Sequence, residues 1–273
     1  MAAFIFSELR VLLSNKSRVQ GLTAIYFFRH IHFACLFFIF SYTQVIFAQP
    51  ATTSQAWITY QAQARVSAKW SLWFDANYRS QRAFFQENFQ DAVRVGITRQ
   101  ISEQASWSAG YAYFRAYRPQ PGPDEKLEEH RLWAQYLLVQ TKGRWQISHR
   151  FRAEHRNQEQ TTEPQRGEDD VLNTVRMRYM FIARHPLQQT EAVALPLWLQ
   201  LANEIMVHSG KGVGWRIFEQ NRVVAGVEAG LSSHLFLSAS YMHLMQYQPL
   251  PNQWRQSHVV RLTLRHMLDW RKG

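Results

Sequence analysis

The chain has 273 residues, 46% of them hydrophobic and only 19% charged, with one cysteine and a formal net charge of +11. A mean hydropathy of −0.35 is too polar for a helical membrane protein, which repeats apolar stretches of about 20 residues. Aromatics make 14% of the chain, ten of them Trp, which argues against disorder because disordered chains are aromatic-poor.

The first recognisable element is an export signal. Arg29 and His30 precede the apolar run Phe33 to Phe40, followed by SYTQVIFAQ. A basic start, an apolar centre of about 7–15 residues and a small residue at the cut describe a secretory signal peptide, with cleavage expected after Ala48. The domain expectation is therefore an N-terminal extension plus signal over 1–48 and a single barrel domain over 49–273. Cys35 lies inside the signal, so disulfides, thiolate catalysis and cysteine metal sites are excluded from the exported chain. Cleavage removes Arg10, Lys16, Arg18, Arg29 and Glu8 and leaves a formal net charge of +8.

From residue 55 onward the pattern is alternation with period two. Over 69–79, Trp70, Leu72, Phe74, Ala76 and Tyr78 fall on one face, and Lys69, Ser71, Trp73, Asp75, Asn77 and Arg79 on the other. Over 145–156, Trp145, Ile147, His149, Phe151, Ala153 and His155 oppose Gln146, Ser148, Arg150, Arg152, Glu154 and Arg156. Successive strand side chains point to opposite sides, so each run has one apolar and one polar face. Similar runs recur at 57–66, 89–99, 105–117, 130–140, 171–184, 197–207, 216–229, 234–247 and 257–268. They exceed the usual globular strand of about 5–6 residues and suit a tilted membrane strand of about 9–11.

Connections are short near 66–69, 101–104, 141–143 and 230–233, and long and polar at 118–129 and 157–170. Short turns at one end and long loops at the other describe an outer-membrane barrel. Trp57, Trp70, Trp107, Trp133, Trp145, Trp198 and Trp254 fall near strand ends, with Tyr78, Tyr111, Tyr113, Tyr179 and Tyr241 nearby. They are expected in the aromatic girdles at the two membrane interfaces. A soluble sandwich would have to hide Arg150, Arg152, Glu154, Arg156, Arg176 and Arg178 in its core, which is costly. The fold expected is all-β, a transmembrane antiparallel up-and-down barrel of about 10–12 strands. Eleven runs are found; because single-chain bacterial barrels have even strand numbers, twelve strands are expected, and ten also fit.

These pieces also carry a resemblance. Trp57 and Tyr60 followed by KWSLWFDANYR (69–79), VRVGIT (93–98), GYAY (110–113) and EHRLWAQ (129–135) resemble an uncharacterised outer-membrane barrel family, domain of unknown function 2490. The RFRAEHR ladder around Arg150 to Arg156, RMRY (176–179), Asn203-Glu204 and FEQNRVVAG (218–226) extend the resemblance over about 57–268. It implies an exported barrel with no assigned activity. One departure is the terminus: such barrels usually end on an aromatic, whereas Trp270 is followed by Arg271, Lys272 and Gly273.

The strongest chemical constellation is a set of candidate lumen residues: Asp75, Arg79, Arg94, Arg150, Arg152, Glu154, Arg156, Arg176, Arg178, Glu204 and Arg222. Same-face residues on adjacent strands lie about 4.5–5.5 Å apart, so they form a ladder of ion pairs. Arginine pairs with carboxylate and phosphate, so one reading is an anion-favouring pore or a site for acidic ligands. The other is mutual neutralisation in a narrow barrel, favoured because ten to twelve strands lie closer to filled eight-stranded barrels than to open porins. No cofactor is expected, and no metal: the acids of the long loops (Asp124, Glu125, Glu128, Glu129, Glu159, Glu163, Glu168, Asp169 and Asp170) lack calcium-loop spacing.

Catalysis is not expected. In Ser148–His149 and Ser257–His258, adjacent strand residues face opposite sides and cannot form a nucleophile–base pair. A lipid-modifying enzyme at the membrane boundary is the enzymatic alternative, and a binding or assembly protein acting through loops 118–129 and 157–170 is the other. The basic residues are spread by alternation rather than concentrated in a patch, which argues against nucleic acid. The expected partners are outer-membrane lipids and the export and barrel-assembly machinery. The expected location is the outer membrane of a Gram-negative-type cell, and the expected role structural or transport-related.

Overall fold

Alternating apolar and polar residues build every described element of the computed structural model, which covers residues 51–81, 87–117, 126–159, 171–187, 195–210, 213, 217–247 and 254–271. The expected signal peptide and most of loops 118–129 and 157–170 lie outside these residues. Eleven strands are present among them: β1 (Ala51–Arg65), β2 (Trp70–Gln81), β3 (Glu87–Gln100), β4 (Ala105–Tyr117), β5 (Lys126–Lys142), β6 (Trp145–Glu159), β7 (Val171–Pro186), β8 (Leu197–Gly210), β9 (Phe218–Gly230), β10 (Leu235–Tyr247) and β11 (Trp254–Asp269). They close into one barrel in which each strand pairs with its chain neighbours and β1 pairs with β11. Closure leaves no strand edge, so the wall needs no water to satisfy its backbone, the condition for crossing a lipid bilayer.

The expectation of twelve strands is corrected here. Ten pairs are antiparallel, but β1 and β11 run parallel, from Ala51 beside Arg255 to Arg65 beside Asp269. Geometry requires this: in an up-and-down array with an odd strand count, the first and last strands point the same way. An odd barrel therefore closes only through one parallel pair.

The outer face is apolar. Val93, Val95 and Ile97 on β3, Leu132 on β5, Phe151 on β6, Met177 on β7 and Leu262 on β11 are all exposed. So continuous an apolar surface marks lipid contact rather than water. Four of its tyrosine hydroxyls are paired locally with histidines. The Tyr179 hydroxyl lies 2.9 Å from His149 Nδ1, that of Tyr241 2.6 Å from His258 Nδ1, and that of Tyr60 3.2 Å from His266 Nδ1. Tyr111 and His130 form a fourth such pair. Each pair joins neighbouring strands and spares the bilayer an unsatisfied donor.

Three expected girdle residues turn inward instead: Trp198 shares the phase of buried Ala202, Glu204 and Met206 on β8 and lies 5.4 Å from the Arg184 guanidinium, and the other two are more deeply buried. Trp57 and Trp133 are each only 4% exposed. On their own strands they alternate in phase with buried Gln55 and Thr59, and with buried Glu129, Arg131 and Gln135. Nearness to a strand end does not choose the face; the phase of alternation does. Both belong to interior apolar clusters, Trp57 with Met180, Ala202, Val224, Met242, Leu244 and Val259, and Trp133 with Ala92, Ala112 and Phe114.

Candidate functional site

One wall of the interior, from β5 to β9, is a connected ion-pair network. Arg131 Nε donates to Glu129 Oε1 at 2.7 Å, and Arg156 Nε donates to the same oxygen at 2.5 Å. Arg178 bridges two acids: its Nη1 lies 2.6 Å from Glu154 and its Nη2 2.8 Å from Glu204. Glu154 also receives Arg131 at 3.4 Å, Arg176 at 3.5 Å and Arg152 at 3.7 Å. Glu204 receives Arg150 at 2.6 Å and Arg222 at 3.5 Å. Glu219 takes Arg156 at 3.2 Å and pairs with Arg176. The four glutamates are all buried, and burial is tolerable because every carboxylate meets at least two guanidinium groups.

Of the eleven candidate residues, Arg150, Arg152, Glu154, Arg156, Arg176, Arg178, Glu204 and Arg222 share this network. Asp75 and Arg94 form a separate pair at 2.7 Å; Asp75 also accepts from Trp73 Nε1 at 2.9 Å and Asn77 Nδ2 at 2.7 Å. Arg79 stands apart from the acids. It hydrogen-bonds Gln90, and its guanidinium lies 4.0 Å from the centre of the Trp57 ring.

The sequence reading missed several partners. Glu129, assigned there to a solvated loop, is buried. β5 begins at Lys126, so the alternation that places Arg131 inside also places Glu129 inside; extending the period by four residues would have found it. Glu219 escapes alternation altogether. Met206 pairs with Gln220 and Val207 with Phe218, so Glu219 is the extra residue of a β-bulge, a device that re-aims one side chain. A second bulge opposite Arg79/Ser80 inserts Phe89, which also lines the interior. Near the short-turn end, Glu228 binds Arg265 at 2.7 Å and pairs with Arg184.

The interior is not lined by Arg and Glu alone. The apolar cluster of Trp57, Met180, Val224, Met242, Leu244 and Val259 gives it a second wall. A cavity of about 400 Å³ lies between the two walls. Gln158 and Glu159 at the end of β6, Gln246 near the end of β10 and Arg255 at the start of β11 line it, so it reaches the long-connection end of the barrel.

No serine–histidine dyad is assembled at the two candidate positions. Ser148 and Ser257 are buried in the interior, and Ser257 Oγ lies 2.8 Å from Thr53 Oγ1. His149 and His258 bond tyrosines on the outer face.

Comparison with known proteins adds a family without a chemistry. The crystal structure of the β-domain of the Bordetella autotransporter BrkA is similar, with a TM-score of 0.43 and 8% identity, over 70% of this chain and 80% of that one. No curated protein matches the sequence. The model of the family described as "Protein of unknown function (DUF2490)" matches residues 54–256, from β1 into β11, and the chain belongs to that family.

Proposed function

We propose that this protein is an outer-membrane barrel with a closed resting lumen, structural or transport-related in role, exported by its N-terminal segment and embedded among outer-membrane lipids by the barrel-assembly machinery. The apolar outer face supports the location, and the interior supports the closed state.

One run of contacts carries the reading. Arg79 on β2 stacks on Trp57 of β1. The Trp57 ring lies 5.3 Å from the Arg222 guanidinium of β9, which pairs with Glu204 of β8, which pairs with Arg150 of β6. In barrel order β10 and β11 separate β9 from β1, so the Trp57–Arg222 contact passes through the interior rather than along the wall. A solute path would require these contacts to part, and it would then present arginine-rich walls to an anion.

Conductance in a planar bilayer tests this, after gel mobility with and without boiling has shown a folded barrel. Wild-type protein should be silent, and Trp57→Ala, which removes the crossing side chain, should give discrete anion-preferring steps. Steady open steps from the wild-type protein would overturn the closed reading.

A further inference from the structure

Most guanidinium groups of the interior are neutralised. Arg131, Arg156, Arg176 and Arg178 each lie within ion-pair distance of two glutamates. Three depart from this: Arg79, Arg261 and, at the long-connection end, Arg255 have no carboxylate within 4.0 Å among the described residues. Arg79 bonds Gln90, and its Nε is buried without a partner. Arg261 Nε reaches only the Ser240 hydroxyl, at 3.3 Å. Arg79 and Arg261 are half-buried cations without an ion-pair partner, which an anion entering the cavity would supply.

Their placement makes them a pair. Trp57 is directly opposite Arg79 on one side and Arg261 on the other, so the three form one lateral row across β2, β1 and β11. The two arginine backbones are about 10 Å apart, twice the spacing between strands; Arg79 reaches toward Gln90 of β3 and Arg261 toward Ser240 of β10, so a ligand seated over Trp57 would draw the two guanidinium groups together. Both line the 400 Å³ cavity, together with Val224, Met242 and Leu244 of the apolar wall. The volume falls within the range of about 300–1,000 Å³ typical of small-ligand sites.

We propose that the row Arg79–Trp57–Arg261 is the binding site for an oxyanion, a carboxylate or phosphate, that carries a small apolar body. The two guanidinium groups hold the oxyanion through charge-assisted hydrogen bonds, and the apolar body lies against Val224, Met242 and Leu244. The inference rests on the closed-barrel reading, because an open, water-filled lumen would screen both cations.

The test is calorimetric titration of the folded, full barrel in phosphatidylcholine nanodiscs with octanoate, alongside acetate and octyltrimethylammonium. Octanoate should bind saturably, one per barrel. Acetate, lacking the body, and the cation, lacking the charge, should each bind at least about tenfold more weakly. Arg79→Gln and Arg261→Gln should each weaken octanoate about tenfold or more, the size expected for one charge-assisted hydrogen bond, while Arg65→Gln near the short-turn end leaves it unchanged. Gel mobility identifies the variants that fold, and Arg79→Lys, which keeps the charge but loses the flat stack on Trp57, provides a second version of the same test. Including phosphatidylglycerol in the nanodisc distinguishes the source: competition with octanoate makes the natural oxyanion lipid-borne, and its absence makes it soluble, the site standing in both cases. Absence of octanoate binding, equal binding of the cation, or unchanged binding in both glutamine variants would overturn the proposal. A silent wild-type barrel that fails to bind would remove the site alone, whereas a conducting one would remove the closed reading beneath it.

Discussion

Arg176 of β7 and Glu219 of β9 share two hydrogen bonds although β8 lies between them. The contact exists because β9 carries one extra residue, which turns Glu219 inward. The same carboxylate takes Arg156 at 3.2 Å, but neither arginine depends on it alone: Arg156 keeps Glu129 and Arg176 keeps Glu154. Glu154 is different, since Arg131, Arg152, Arg176 and Arg178 all converge on it. Removing one partner of a buried ion pair costs about 3–5 kcal/mol. Glu219→Ala should therefore fall at or below the lower end of that range and Glu154→Ala at or above the upper end. Urea unfolding of the barrel in lipid vesicles, followed by gel mobility, reads the ranking; equal costs would show that the network is not centred on Glu154.

Much of the wall was legible because strands broadcast their phase. β4 occupies the 105–117 expected from alternation, and the ladder of Arg150, Arg152, Glu154 and Arg156 faces inward as its period requires. Three things escaped that reading. Polarity at 126–129 reads as loop, yet a charged interior accepts alternate charges, so β5 starts early and buries Glu129. A bulge breaks the period it would be detected by, which hid Glu219 and Phe89. Closure is a property of the whole array, and nothing local in β1 or β11 announces a parallel partner.

The parallel seam has a signature that cross-linking can read. In the β1–β11 register Ile58 faces Leu262 and Tyr60 faces Leu264, so both numbers rise together. An antiparallel closure keeping the first pair would place Tyr60 opposite Val260 instead. In a background without Cys35, Ile58→Cys/Leu262→Cys and Tyr60→Cys/Leu264→Cys should both oxidise to a disulfide, because neighbouring strands bring Cα atoms within the 4.4–6.8 Å a disulfide tolerates. Tyr60→Cys/Val260→Cys should not. Non-reducing electrophoresis reports the outcome, and the reverse preference would show an even-stranded barrel.

The tryptophans divide by face, which quenching measures directly. Trp107 and Trp145 are each 40% exposed on the apolar outer wall, whereas Trp57 and Trp133 are buried inside. Single-tryptophan variants in vesicles of bromine-labelled lipid should show strong quenching for Trp107 and Trp145 and almost none for Trp57 and Trp133. Comparable quenching at Trp57 would remove the side chain that crosses the lumen, and with it the closed reading.

Trp133 also explains a pair of glycines. Gly96 of β3 and Gly110 of β4 face each other across the ladder, and the Trp133 ring lies over them. A Cβ on Gly110 would come within 2.0 Å of the Val95 carbonyl oxygen, 2.6 Å of Gly96 Cα and 2.7 Å of Trp133 Cζ2. The indole could shift, but the nearest two atoms belong to the backbone of the neighbouring strand. Gly110→Ala should therefore cost at least about 1–3 kcal/mol, the usual penalty of overpacking. Shrinking the ring should not restore the loss: Gly110→Ala/Trp133→Leu should unfold at no higher urea concentration than Gly110→Ala alone, since the ladder between β3 and β4 would still have to part. Recovery in the double variant would show instead that the two glycines serve the tryptophan and that the strands themselves have room.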